Sequence, residues 1–258
     1  MKIVRYLDRQ NRTHHGRLHA DGTTTRLEGD ILGDYHDSGE PAEVAKILVP
    51  IVPSDILCIG LNYHRHAEEG KQAIPEWPVL FMKNGGTLQN PGDPIVLPRK
   101  LASDAVDYEC ELAVVIGKPC KNVSKSEALQ YVLGYTCVND VTARDLQMKD
   151  GQWTRGKGFD TFCAVGPCLV PKDELRVEDL RIRTLLDGQV KQDAYARQMI
   201  FPVDVILSYV TAVMTLEPGD LIATGTPPGV GPMQPGSKVR VEIEGIGVLE
   251  NEVLSGYR

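Results

Sequence analysis

Residues 108–116 read Tyr-Glu-Cys-Glu-Leu-Ala-Val-Val-Ile and are followed by Gly117. This pattern predicts a β-strand, whose alternate side chains point to opposite faces. Tyr108, Cys110, Leu112, Val114 and Ile116 then form an unbroken apolar face, while Glu109 and Glu111 share the other with Ala113 and Val115. A strand this apolar belongs inside a sheet, yet it carries two carboxylates roughly 7 Å apart. At an effective dielectric of about 20 their repulsion costs about 2 kcal/mol, before desolvation. Any fold that buries the strand must answer for both charges. A divalent cation does so, because hard cations take carboxylate oxygens. So does water on an open strand face, a neighbouring Arg or Lys, or protonation of one acid.

The remaining composition narrows the class of protein. The 258 residues suffice for one large domain, or for a large and a small one. An apolar content of 42% and a charged content of 24% are ordinary for a soluble protein. A net charge of −7 argues against nucleic acid as a partner, since phosphate binding needs a basic face. Met1-Lys2-Ile3-Val4-Arg5 does not resemble a signal peptide, and the longest apolar stretch, 203–216, is interrupted by Asp204. No membrane association is expected, and the expected compartment is the cytoplasm. The six cysteines include no Cys-x-x-Cys pair and sit mostly among apolar residues, so they read as buried thiols.

Two parts are expected along the chain. Residues 1–53 form a small β-rich module, with a strand over 1–7 and a turn at Asp21-Gly22; His14, His15 and His19 read as surface residues of it. Pro50-Ile51-Val52-Pro53-Ser54 is the connector, and 54–258 is a longer, strand-rich domain. Its most apolar helix covers 203–216 and stops at Glu217-Pro218-Gly219-Asp220. Residues 239–253 read as a hairpin turning at Gly245-Ile246-Gly247.

Three further clusters carry chemistry. Tyr135-Thr136-Cys137-Val138-Asn139-Asp140 reads as a strand that ends on an acid, with Thr142-Ala143-Arg144-Asp145 as a helix start behind it. Asp140 alone is a turn former, but with Glu109 and Glu111 it completes three carboxylates suited to six-coordinate Mg²⁺ or Mn²⁺. In Gly60-Leu61-Asn62-Tyr63-His64-Arg65-His66-Ala67-Glu68-Glu69, His66 and Glu69 lie three apart on a short helix. A carboxylate beside an imidazole makes a general base, although the same spacing also serves plain surface pairs. Residues 71–78, polar and holding two prolines, read as a mobile loop. Lys157 lies between Gly156 and Gly158, which would let a ligand approach closely. Thr224-Gly225-Thr226-Pro227-Pro228-Gly229-Val230-Gly231 is glycine-rich but lacks the Gly-Lys-Ser/Thr ending of a phosphate loop.

Together these motifs resemble the fumarylacetoacetate hydrolase (FAH) superfamily over about residues 54–258. The resemblance implies an α+β, β-rich architecture: a mixed β-roll catalytic domain beside the small N-terminal β module, usually dimeric, with a lid over the His-Glu pair. It implies Glu109, Glu111 and Asp140 as ligands of Mg²⁺ or Mn²⁺, with Ca²⁺ as a substitute. His66 and Glu69 match the dyad of members that hydrolyse carbon–carbon bonds, and Lys157 matches the lysine that steadies the enolate. Arg144, Gln147, Thr226 and Lys83 match positions around the substrate.

The family's chemistries share an enolate of a small 2-keto acid. Hydrolysis of an acylpyruvate, decarboxylation or tautomerisation of oxaloacetate, and isomerisation of 2-hydroxyhepta-2,4-diene-1,7-dioate all pass through it. The dyad points to hydrolysis of an acylpyruvate-type 2,4-diketo acid. The phrase Asp-Gly-Gln-Trp-Thr-Arg-Gly-Lys-Gly-Phe-Asp is similar to that of isomerase members. A non-catalytic metal-binding relative would have lost the dyad or the lysine, and both are present.

Overall fold

A computed structural model describes residues 1–256. The chain opens with antiparallel strands β1 (Lys2–Leu7), β2 (Thr13–Leu18), β3 (Thr24–Gly29) and β4 (Tyr35–Pro41), and the short β5 (Lys46–Leu48) returns to β1. Next come β6 (Ile56–Gly60), helix α1 (His64–Glu69), β7 (Val79–Lys83), β8 (Leu88–Gln89) and β9 (Ile95–Val96). The central stretch is β10 (Val106–Tyr108), β11 (Cys110–Ile116), β12 (Val132–Asp140), β13 (Thr142–Ala143), α2 (Arg144–Lys149) and α3 (Thr154–Lys157). Then follow β14 (Cys163–Pro171), β15 (Arg181–Leu186), β16 (Gln189–Tyr195) and α4 (Val203–Val213). The last strands are β17 (Leu221–Ala223), β18 (Gly231–Pro232), β19 (Lys238–Ile243) and β20 (Gly247–Leu254).

The main sheet runs β4-β3-β2-β1-β14-β12-β11-β17-β6-β7, with β5 added on β1 and β8 on β14. A five-stranded sheet, β16-β15-β19-β20-β9, and a small one, β13-β10-β18, complete an α+β, strand-rich fold. The main sheet is mixed, because β17 pairs with β6 in parallel while its other neighbour β11 is antiparallel.

The expected alternation on β11 explains why this strand is central. Cys110, Leu112, Val114 and Ile116 face a core shared with Ile206, Leu207 and Val210 of α4 and with Ile182, Val241 and Ile243 of the five-stranded sheet. Ala113 and Val115 face a second core that includes Ile3, Leu27, Val49 and Ile51. The N-terminal strands therefore share cores with the rest of the chain, and β1 meets β14 at Ile3 and Leu169.

Two local expectations are corrected. The strand over 108–117 is broken at Glu109, where the chain leaves the small sheet (β10) and enters the main one (β11). The Asn139 side chain takes over there: its Oδ1 accepts from Glu109 N at 3.0 Å, while Asp140 N donates to Glu109 O at 2.9 Å. Nor does Thr142 cap a helix. It lies in β13 and its hydroxyl donates to Asp140 O, so α2 starts at Arg144 without a side-chain cap.

Candidate active site

The break at Glu109 and the ends of β12 and β17 meet at one place. Each of Glu109, Glu111 and Asp140 offers a carboxylate oxygen within 4.8 Å of the others, and all three residues are buried. They floor a cavity of about 490 Å³, whose wall also carries His66, Glu69, Arg144, Gln147, Lys157 and Thr226. The fold thus brings together nine of the ten residues that the sequence nominates.

The tenth, Lys83, stands behind the floor. Its side chain is 0% exposed, and Nζ donates to Asp140 Oδ1 at 2.6 Å and to Val141 O at 3.1 Å. It is not on the cavity wall. Its amine is committed to holding a carboxylate, which does not suit the substrate contact suggested by resemblance.

Lys157 reaches the floor from α3. Its Nζ lies 2.6 Å from Asp140 Oδ2 and 2.8 Å from Glu109 Oε2, and 5.0 Å from the centre of the Phe81 ring. Burial lowers the Lys157 pKa, but Asp140 and Glu109 outweigh it and hold the amine above its ordinary value. The flanking glycines do not open a path for ligand. A Cβ on Gly156 would stand 2.8–2.9 Å from Gln147, and one on Gly158 would stand 2.4 Å from Thr154 O. Their smallness lets α3 pack against α2 and close its own turn.

Arg144 fans out from the first turn of α2. It donates to Asp107 Oδ2 at 2.9 Å, to Gln147 Oε1 at 2.7 Å and to Glu109 Oε1. Burial pushes Glu109 up, but Lys157, Arg144 and His66 outweigh that and hold its carboxyl below the usual range.

Glu111 differs from its two neighbours. It has no bonded cationic side chain among the described residues, and its Oε2 accepts only from Gly225 N at 2.7 Å. Burial first, and then the charges of Asp140 and Glu109, push its carboxyl well above its ordinary value. The donor set is all oxygen, as Mg²⁺, Mn²⁺ or Ca²⁺ requires, and a cation would relieve the repulsion at Glu111. The three acids fit a divalent metal ion.

The glycine-rich loop after β17 is held from two sides. Asn62 donates to Thr224 O at 2.7 Å and to Phe201 O at 3.0 Å, and its Oδ1 accepts from Phe201 N at 2.7 Å. On the other side Gln192 of β16 donates to Thr226 Oγ1 at 2.8 Å and to Pro227 O at 2.7 Å, and its Oε1 accepts from Cys110 N at 3.0 Å. The Thr226 hydroxyl donates to Cys110 O at 3.0 Å. Gln192 is the supporting residue that the sequence reading missed. Its surroundings, Gln-Val-Lys-Gln-Asp-Ala-Tyr, look solvent-facing, and only the shared parity with buried Ala194 marks it as inward.

His66 and Glu69 stand at the mouth. His66 Nδ1 is 3.5 Å from Glu69 Oε2 and makes no hydrogen bond, while both Glu69 oxygens accept from Gly229 N at 3.1–3.2 Å. Burial lowers the His66 pKa and Arg144 adds to the lowering, while Glu109 and the neighbouring Glu69 oppose it. The net direction favours the neutral imidazole, with Glu69 as its nearest acid.

Three buried carboxylates that could hold a divalent metal ion, with Lys157 and Arg144 beside them and the His66 imidazole on the same wall, make up the site. The chain belongs to the fumarylacetoacetate hydrolase family: the family described as Fumarylacetoacetate (FAA) hydrolase C-terminal matches residues 55–254. A protein of Archaeoglobus fulgidus is 48% identical over 241 residues, covering 92% of this chain and 94% of its own. The mitochondrial oxaloacetate tautomerase of Rattus norvegicus is 40% identical over 224 residues, covering 83% of this chain and 71% of its own. The crystal structure of 2-hydroxyhepta-2,4-diene-1,7-dioate isomerase from Mycobacterium marinum superposes with a TM-score of 0.89 at 40% identity, covering 100% of both chains. Members of the family are enzymes. Among the described residues, no helix is long and apolar enough to cross a membrane.

Proposed function

We propose that the protein catalyses keto–enol proton transfer in a small 2-oxo acid held at Glu109, Glu111 and Asp140. The observation that carries this reading is His66: an imidazole held toward its neutral form by burial, whose buried Nδ1 has no hydrogen-bond partner, on the wall of a cavity whose other charged groups are mostly paired. His66 takes the C3 proton of the keto form. The C3–H electron pair becomes the C2–C3 double bond, and the C2 oxygen gains the negative charge. A divalent ion held by the three acids would act as a Lewis acid toward the enolate. Lys157 places a positive charge beside the same region, and Arg144 and Gln147 orient the ligand carboxylate. Reprotonation on oxygen gives the enol, and the reverse path returns the keto acid. The tautomerase and isomerase relatives support a proton-transfer reaction.

A second reading, hydrolysis of an acylpyruvate, is favoured by Glu69 lying 3.5 Å from His66. It needs that pair to engage and activate water. Loss of CO₂ from oxaloacetate would use the same floor without a base.

The test follows C3 deuterium uptake by oxaloacetate in D₂O, above the uncatalysed rate, with Mg²⁺ or Mn²⁺ and after chelation. Metal-dependent exchange that is lost in His66→Ala is expected. Exchange no faster than buffer, together with rapid acylpyruvate cleavage, would promote the second reading.

A further inference from the structure

The cavity is charged unevenly from floor to mouth. Among the described residues Arg144 and Lys157 are the only Lys or Arg on its wall, and both bond to the floor acid Glu109. Toward the mouth, where exposure rises to 66% at Met148, the wall carries apolar, acidic and uncharged polar groups, Gln72 and His66 among the last, and no Lys or Arg. Phe81 and Trp153 meet edge to face at 5.0 Å, and the indole lies so near Gly60 that a Cβ there would be 2.6 Å away. Glu69 and Asp150 are the acids on this upper wall. Arg155 grips Asp150 through bonds of 2.8 and 2.6 Å but does not line the cavity. Lys71 is exposed and also off the wall, although its neighbours Gly70 and Gln72 are on it.

We infer that the cavity selects 2-oxo acids whose far end is uncharged and rejects long diacids. A second carboxylate is accepted only within reach of Arg144, as in a four-carbon diacid. The inference rests on the proposed binding of a 2-oxo acid at the acidic floor. A carboxylate at the end of a seven-carbon chain loses water against Trp153 and Phe81, meets Glu69 and Asp150, and finds no cation on the wall to replace its hydration. An alkyl or acyl tail of the same length meets the two rings without that cost.

The test is calorimetric titration of the Mn²⁺-loaded protein with 2-oxoheptanoate and 2-oxoheptanedioate, which differ only in the terminal group. Oxalate serves as the probe of the floor. The monoacid is expected to bind at least about tenfold more tightly. Asp150→Asn removes an acid and releases Arg155, so it should close much of the gap and leave oxalate affinity unchanged. Equal or tighter binding of the diacid overturns the inference. Tight diacid binding that disappears in Lys71→Ala overturns it too, by showing that the segment after α1 supplies a cation. Failure of oxalate itself to bind would instead refute the 2-oxo acid reading, since no selectivity is then being measured.

Discussion

The Lys157 ammonium lies 2.6 Å from Asp140 Oδ2, inside the set of acids suited to a metal ion. It also lies 2.8 Å from Glu109 Oε2, so one positive charge already stands among carboxylates that would take a divalent ion. The two cations repel across a few ångströms of low-dielectric protein. Lys157→Met should therefore tighten Mn²⁺ binding by about tenfold while lowering turnover by about 10²-fold or more, the usual loss for a removed electrostatic partner. Titration calorimetry on both proteins checks the first half. Weaker binding in the variant would show instead that the ammonium holds the carboxylates in place for the ion.

His66 sets the expected pH dependence. Burial, the largest influence, keeps its pKa below the ordinary value of about 6.5. The acidic limb of kcat/KM should accordingly fall below pH ~6.5, and His66→Gln should remove it. Stability carries the same sign. The unfolded chain takes up this proton first as pH drops, so the contribution is complete above pH ~6.5 and is lost as pH falls through the folded value. Denaturant titrations of wild type and His66→Gln between neutral pH and pH ~5 should diverge in that direction.

What the sequence made legible is what depends on period and on local motif. Alternation in 108–117 places Glu111 on the face opposite the apolar one that α4 covers, and the glycine-proline clusters mark the loop after β17. What it could not show depends on contacts across the fold. The break at Glu109 arises because Asn139, thirty positions away, supplies the acceptor for Glu109 N. Lys83 bonds a carboxylate fifty-seven positions on, so its place behind the floor follows from the β6–β7 pairing and not from its neighbours. Gly156 and Gly158 look like ligand space in one dimension; in three, Gly156 is a contact between α3 and α2 and Gly158 closes the turn of α3.

Gly225 links the loop to the metal-type floor. Its φ is +99°, and an added Cβ would stand 2.6 Å from Asn62 Cβ and 2.9 Å from Ile59 O. Gly225→Ala should lower stability by about 1–3 kcal/mol through backbone strain, and by more if Asn62 cannot give way. It should also displace the N–H that bonds Glu111 and so weaken Mn²⁺ binding. Thermal melting and metal titration read these two effects separately. A variant as stable as wild type would mean that the loop relaxes freely.

Gln192 tests the far side of the same loop. Gln192→Leu removes the donors to Thr226 Oγ1 and Pro227 O and the acceptor of Cys110 N, all buried. Each stranded group costs about 1–3 kcal/mol unless water enters. A loss of several kcal/mol in denaturant unfolding is expected, with slower turnover, although the residue does not line the cavity.

Glu69 separates the two readings of the chemistry. Its carboxylate accepts from Gly229 N and stands 3.5 Å from His66 without a hydrogen bond to it. Proton transfer on an enolisable acid needs the imidazole alone, whereas attack by water needs an imidazole whose developing charge a carboxylate supports. His66→Ala should thus lower C3 exchange by about 10²–10⁴-fold, the range of general-base catalysis. Glu69→Gln leaves an acceptor for Gly229 N–H and should lower exchange by about tenfold at most, while any acylpyruvate hydrolysis falls by about 10²-fold or more. Side-by-side rates on the two substrates with the same Mn²⁺-loaded preparations decide the matter. Should Glu69→Gln damage both reactions equally, the carboxylate would be acting through the Gly229 loop, and the imidazole could no longer be treated as a base that works alone.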